Sequence, residues 1–195
     1  MRRVAGAGLG VLAGLALTLA LPASAARTAP SGLLYSSASA HAVQRQPSAG
    51  ACHTVGSGLY SRADPRCTPG AVNPAVTQAT IGSTICRSGW TSTVRPPESI
   101  TEPEKLASMR SYGLSGSASR YEYDHDVALE LGGAVNDPRN LWPEPDYPSG
   151  AGFYLNPKDR LESALKHRVC RGEESLAQAQ REIASNWVLA YREHG

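Results

Sequence analysis

After Leu21 no stretch of the chain is apolar enough to cross a bilayer, which excludes a fold built from several membrane-spanning helices. The cysteines include no Cys-x-x-Cys pair, the spacing that structural zinc sites favour, and this speaks against a zinc-built domain. Positive charge is also scarce. Met1-Arg2-Arg3 followed by the apolar run Val4 to Leu21 and the small residues Pro22-Ala23-Ser24-Ala25 reads as a signal peptide over 1–25, cleaved near Ala25. An uncleaved anchor is the competing reading of that run, and the small-residue site favours cleavage. Its removal takes away Arg2 and Arg3 and no acidic residue, lowering the formal net charge from +2 to zero. Tight nucleic-acid binders draw on an excess of Lys and Arg. A neutral chain therefore speaks against a tight binder, and less against an enzyme that meets nucleic acid transiently.

What is present suits one domain of ordinary size, since 195 residues with 41% hydrophobic content can build a real core. Cys52, Cys67, Cys86 and Cys170 all follow the leader, and an even count in an oxidising compartment reads as two disulfides. Four cysteines allow three pairings, among which the sequence alone does not select. The expected arrangement is Cys52–Cys67 as a local loop and Cys86–Cys170 as a long tie. Residues 26–50 are rich in Ser, Ala and Pro and read as a flexible linker, so the domain is expected over 51–195. His41 falls in that linker as a solvated residue, and His53 beside Cys52 has no nearby metal-ligating partner.

The Val-, Ile-, Thr- and Trp-rich stretch from Ala75 to Pro97 suggests short strands around Thr84–Cys86 and Trp90–Val94. Thr101, Pro103 and Glu104 form the pattern of a helix start with a capping box, and Gly113 ends that helix. Tyr121, Tyr123 and Val127 suit a strand, Gly132-Gly133 a turn, and Asn140-Leu141-Trp142 a second strand kept short by Pro143, Pro145 and Pro148. A loop to about Leu155 follows. Asn156 then caps a helix with Pro157 in its first turn and Leu161, Leu165 and Val169 on one face. A last helix over 174–192 carries Leu176, Ala179, Ile183 and Trp187 along one side. The fold class is therefore α+β, with the C-terminal helix as a cover.

The residues with chemical potential cluster in Tyr121 to Pro145, YEYDHDVALELGGAVNDPRNLWPEP. Histidine can take a proton from water near neutral pH, and a carboxylate can hold a hard cation. Asp124 and His125 are neighbours on an expected strand, so their side chains point to opposite faces unless the strand ends or bulges there. The ordinary alternative is a surface hydrogen-bonded pair, with Asn140 as a turn-stabilising amide and Asp159 as a carboxylate complementing its helix N-terminus.

The ordered set DHDVALELGG, NDPRNLWPEP and KDRLE resembles the HNH, or ββα-metal, nuclease family over Tyr121 to Cys170. It looks like exported actinobacterial proteins of that type, in which Cys-x-x-Gly-Trp (Cys86 to Trp90) and Val-Cys-x-Gly (Val169 to Gly172) flank the motif. The resemblance implies a small ββα-metal unit and an exported, non-specific endonuclease that hydrolyses DNA or RNA. In it His125 is the general base, Asn140 orients that base and holds the connecting loop, and Asp124 is a metal ligand. Many members place His or Asn at the third position, where this chain offers Asn156, Lys158 and Asp159. Asp159 and Asn156 are then the further candidate metal ligands, and Lys158 and Arg160 the candidates for a substrate phosphate. Arg160 also belongs to a basic stretch with Lys166, His167, Arg168 and Arg171 that reads equally as a solvated helix face. The implied cofactor is one divalent ion, Mg²⁺ first, with Mn²⁺ or Zn²⁺ as alternatives. The rival readings are a non-catalytic secreted binding module, with an inhibitor or cell-wall partner, and a structural protein that keeps the fold.

Overall fold

A computed structural model describes Met1, residues 27–146 and residues 156–194. The expected signal peptide with its cleavage site, and most of the loop expected to end at Leu155, lie outside the described residues. Among the described residues, two short two-stranded ribbons, four α-helices and four short 3-10 turns make up the α+β chain. Strands β1 (Leu34–Tyr35) and β2 (Ala71–Val72) pair in parallel, and β3 (Tyr121–His125) pairs antiparallel with β4 (Leu141–Pro145). The helices are α1 (Trp90–Val94), α2 (Glu98–Ser111), α3 (Pro157–Cys170) and α4 (Leu176–His194). Among the described residues no helix is long and apolar enough to cross a membrane.

Helix α3 forms where local signals agree. Asn156 and Asp159 make a reciprocal capping box, the Asp159 carboxylate accepting from the Asn156 N–H at 3.3 Å, and Pro157 occupies the first turn. Leu161, Leu165 and Val169 then fall on one face and are fully buried against Ala179, Ile183 and Trp187 of α4. Each such aliphatic side chain removed from water contributes about 1.5–3 kcal/mol. Helix α4 is interrupted at Asn186, whose φ of −166° and ψ of 83° are not helical, and the Trp187 indole beyond it donates to Ser61 O at 3.1 Å.

Both expected disulfides are present, Cys52–Cys67 and Cys86–Cys170, separated by 15 and 84 residues. The first sits in a small cluster with Ala63, Tyr112 and Trp142, and the second ties the segment before α1 to the end of α3.

Three expectations are corrected. The Thr84–Cys86 and Trp90–Val94 strands do not form: a 3-10 turn at Ile81–Ser83 precedes that region, and Trp90–Val94 is helix α1, entered through Gly89 at φ 76°. Helix α2 begins earlier than expected, at Glu98 after Pro97. Pro103 thus lies inside it, and Glu104 is buried rather than capping. The segment read as a linker is fastened to the domain. Ser36 Oγ donates to Asp137 at 2.8 Å, Asn136 Nδ2 donates to the Ser39 and Ala42 carbonyls at 3.0 Å each, and Gln44 N–H donates to Glu104.

Candidate active site around the Asp124–His125 pair

The β3–β4 register sets Asp124 opposite Trp142 and His125 opposite Leu141. Between the strands runs a loop, not a tight Gly-Gly hairpin, and Asn140 is its centre. That side chain is fully buried. Its Oδ1 accepts from Val127 N–H at 2.9 Å and Ala71 N–H at 3.3 Å, while its Nδ2 donates to Val127 O at 3.1 Å and Ala134 O at 3.0 Å. The two glycines follow from this closure. Gly132 has φ 74°, and a Cβ on Gly133 would lie 1.7 Å from Val127 O and 2.9 Å from Asn140 Nδ2. Asn140 therefore holds the loop by its backbone, and touches no part of the His125 ring among the described hydrogen bonds.

Strand β3 stays regular through His125, so Asp124 and His125 leave the ribbon on opposite faces. His125 is 8% exposed, and its ring Nε2 lies 3.3 Å from Val135 O. A carbonyl only accepts, so in a neutral ring this contact is a hydrogen bond for the tautomer that carries its proton on Nε2. Burial pushes the imidazole pKa down to about 4, against a smaller upward pull from Asp124, so the ring is neutral at neutral pH. His125 lines a cleft of 410 Å³ together with Arg95, Lys105, Tyr121 and Leu141. The same walls carry Glu98, Glu102 and Glu122, so the cleft is of mixed charge.

On the other face Asp124 meets Lys158 from the first turn of α3. Lys158 is 1% exposed, and its ammonium donates to Asp124 Oδ2 at 2.7 Å, to the His125 backbone O at 2.6 Å and to Glu162 Oε1. Three N–H donors meet three oxygens, which saturates the group. Burial opposes the charge on Lys158, but Asp124, Glu162 and Glu144 outweigh it and hold its pKa well above the usual lysine value. Burial likewise opposes ionisation of Asp124, and Lys158 with a hydrogen bond from Glu144 brings its pKa below the usual value. Glu144 itself is pushed well above the carboxylate range by burial and by the Asp124 charge. Glu162 is pushed up to about 8 by burial, which the neighbouring Lys158 ammonium only partly offsets. Within this cluster the carboxyls are thus pulled apart, Asp124 downward by Lys158, and Glu144 and Glu162 upward by burial.

This arrangement does not fit a divalent ion. The expected ligand Asp124 is engaged by a cation already, and Asp159, also raised by burial, serves the α3 cap together with Asn156. Among the described residues no group of three or more His, Cys, Asp or Glu side chains is placed to hold a metal. Lys158 is too deeply buried to reach a phosphate, whereas Arg160 is exposed on α3. Glu144, Glu162, Arg95 and Lys105 escaped the reading of the sequence. The i, i+4 spacing of Lys158 and Glu162 was a visible signal. Glu144 becomes legible only once the register pairs it with Glu122. No family model, no curated protein and no solved structure matches the chain.

Proposed function

We propose that the chain is an exported hydrolase of nucleic-acid phosphodiester bonds, with His125 as its general base. One observation carries this reading: an imidazole held neutral by burial, its Nε2 beside the Val135 carbonyl, lines a cleft that also holds Arg95 and Lys105. Water is a poor nucleophile at neutral pH, and a positioned base contributes typically ~10²–10⁴-fold to its attack. In the proposed step Nδ1 takes a proton from water, the water oxygen bonds to phosphorus, and the bond to the leaving oxygen breaks; that oxygen takes a proton from solvent, and the imidazolium returns its own to solvent. Arg95 and Lys105 offset charge on the non-bridging oxygens. The cleft's acidic residues limit how tightly a polyanion is held, in keeping with transient contact and no sequence reading. Export is supported by the two disulfides, which persist in oxidising compartments.

The test is cleavage of plasmid DNA and single-stranded RNA by the disulfide-bonded protein, in Mg²⁺, in Mn²⁺ and in chelator, beside His125→Ala and a folding control by circular dichroism. Cleavage that falls about 100-fold or more in a folded His125→Ala supports the reading. A folded wild type that cleaves neither substrate under any condition, or a variant that cleaves equally well, refutes it.

A further inference from the structure

We propose that the Lys158 ammonium is the resident cation of this site and occupies the place where a divalent ion would bind. A divalent ion would then bind at Asp124 only when Lys158 is removed. As a statement about catalysis this rests on the hydrolase reading; as a statement about cation binding it does not.

The geometry is that of a cation in a nest of oxygens. Asp124 Oδ2 comes from β3, the His125 carbonyl from the same strand's backbone, and Glu162 from α3 one turn beyond Lys158 itself. All three converge on one nitrogen that solvent does not reach. Such a set, one ionised carboxylate with a second carboxyl and a backbone carbonyl, is also what a hard divalent cation accepts, completed by water. An ammonium and a divalent ion cannot share it. Like charges within a few ångströms repel strongly in a buried site, and all three Lys158 donors are already engaged. The chemistry fits too. A buried carboxylate needs a counter-charge, and lysine supplies it without depending on metal in the surroundings.

Lys158 also reaches the proposed base. Its bond to the His125 carbonyl fixes the backbone of that residue, while the ring faces the cleft. Lys158 is thus a positioning residue, not a group that touches substrate.

The experiment is a Mn²⁺ titration of the disulfide-bonded protein, reading free Mn²⁺ by electron paramagnetic resonance and melting temperature in parallel. It compares wild type, Lys158→Ala, Asp124→Asn and the double variant. The wild type is expected to bind no stoichiometric Mn²⁺ and to keep its melting temperature. Lys158→Ala should bind one Mn²⁺ more than about tenfold tighter than wild type and melt higher as Mn²⁺ rises, and Asp124→Asn should remove both effects. Should Lys158→Ala unfold without metal, recovery of its circular dichroism on adding Mn²⁺ gives the same answer. One Mn²⁺ bound by the wild type and lost in Asp124→Asn overturns the proposal. So does a Lys158→Ala protein that neither binds Mn²⁺ nor is refolded by it. These readouts need no cleavage, so a failure of the hydrolase reading remains distinguishable.

Discussion

Replacing Asn140 with alanine tests whether this residue acts on chemistry or on the loop that follows His125. Its amide makes four contacts with backbone groups of residues 71, 127 and 134, and none is solvent-exposed. At a net ~0.5–1.5 kcal/mol per hydrogen bond, losing all four costs roughly 2–6 kcal/mol. The upper part of that range is favoured because two N–H and two C=O groups are left buried without partners, and the alanine methyl admits little water. Asn140→Asp keeps the oxygen that serves Val127 and Ala71 but turns an oxygen toward two carbonyls. It should therefore be destabilised as well, and most severely at pH values where the carboxyl ionises. Urea unfolding followed by circular dichroism measures both variants. A purely catalytic Asn140 would leave the unfolding midpoint in place and lower only the cleavage rate. An Asn140→Ala loss below about 1 kcal/mol would therefore refute the loop-closure argument.

Other perturbations address the base, the disulfides and the N-terminal segment. The His125 pKa of about 4 lies below the ordinary histidine value of 6.5, so the folded state favours the neutral ring. Its stabilising contribution is present above pH 6.5 and lost as pH falls to about 4, roughly 3 kcal/mol in all. The difference in unfolding free energy between wild type and His125→Gln should shrink over that window, and the acid limb of any cleavage profile should centre near pH 4 rather than 6.5. A limb at 6.5 would contradict a buried neutral base. Chain-entropy arguments give about 3.0 kcal/mol for the Cys52–Cys67 loop and about 4.6 for Cys86–Cys170. The paired-serine variant of Cys86 and Cys170 should accordingly melt lower than that of Cys52 and Cys67, and the reverse order in calorimetry would show that loop length does not govern here. Asn136→Ala removes the amide that holds the Ser39 and Ala42 carbonyls. Trypsin should then cut after exposed Arg45 several-fold faster, and unchanged kinetics would show that the Glu104 and Asp137 contacts suffice.

Features that depend on neighbours along the chain are legible in its sequence. Asn156, Pro157 and Asp159 announce the α3 start, and Leu161, Leu165 and Val169 its buried face. Strand β3 and the short β4 follow from the tyrosines and from Leu141-Trp142, although β4 runs on through Pro143 to Pro145. The stretch Trp90–Val94 misleads because β-branched residues favour strands only weakly, and one helical turn next to Cys86 wins in context. Residues 27–50 mislead for a different reason. Their composition cannot make a core, yet a few hydrogen bonds to distant residues, such as Ser36 to Asp137 101 positions away, hold them against the domain. No local pattern contains that information.

The candidate site divides along the same line. A regular strand must send Asp124 and His125 to opposite faces, and the structure obeys that rule. The two faces are nevertheless linked, and the link is the backbone of His125. Its ring lines the cleft while its carbonyl oxygen accepts from Lys158 at 2.6 Å. Lysine in the first turn of a helix reads as exposed charge, and only the convergence of Asp124, Glu162 and that carbonyl makes its burial tolerable. It follows that a change at Lys158 reaches the His125 ring through one peptide unit rather than through the cleft. Substitutions there should move the position of His125 before they alter the charge of the cleft.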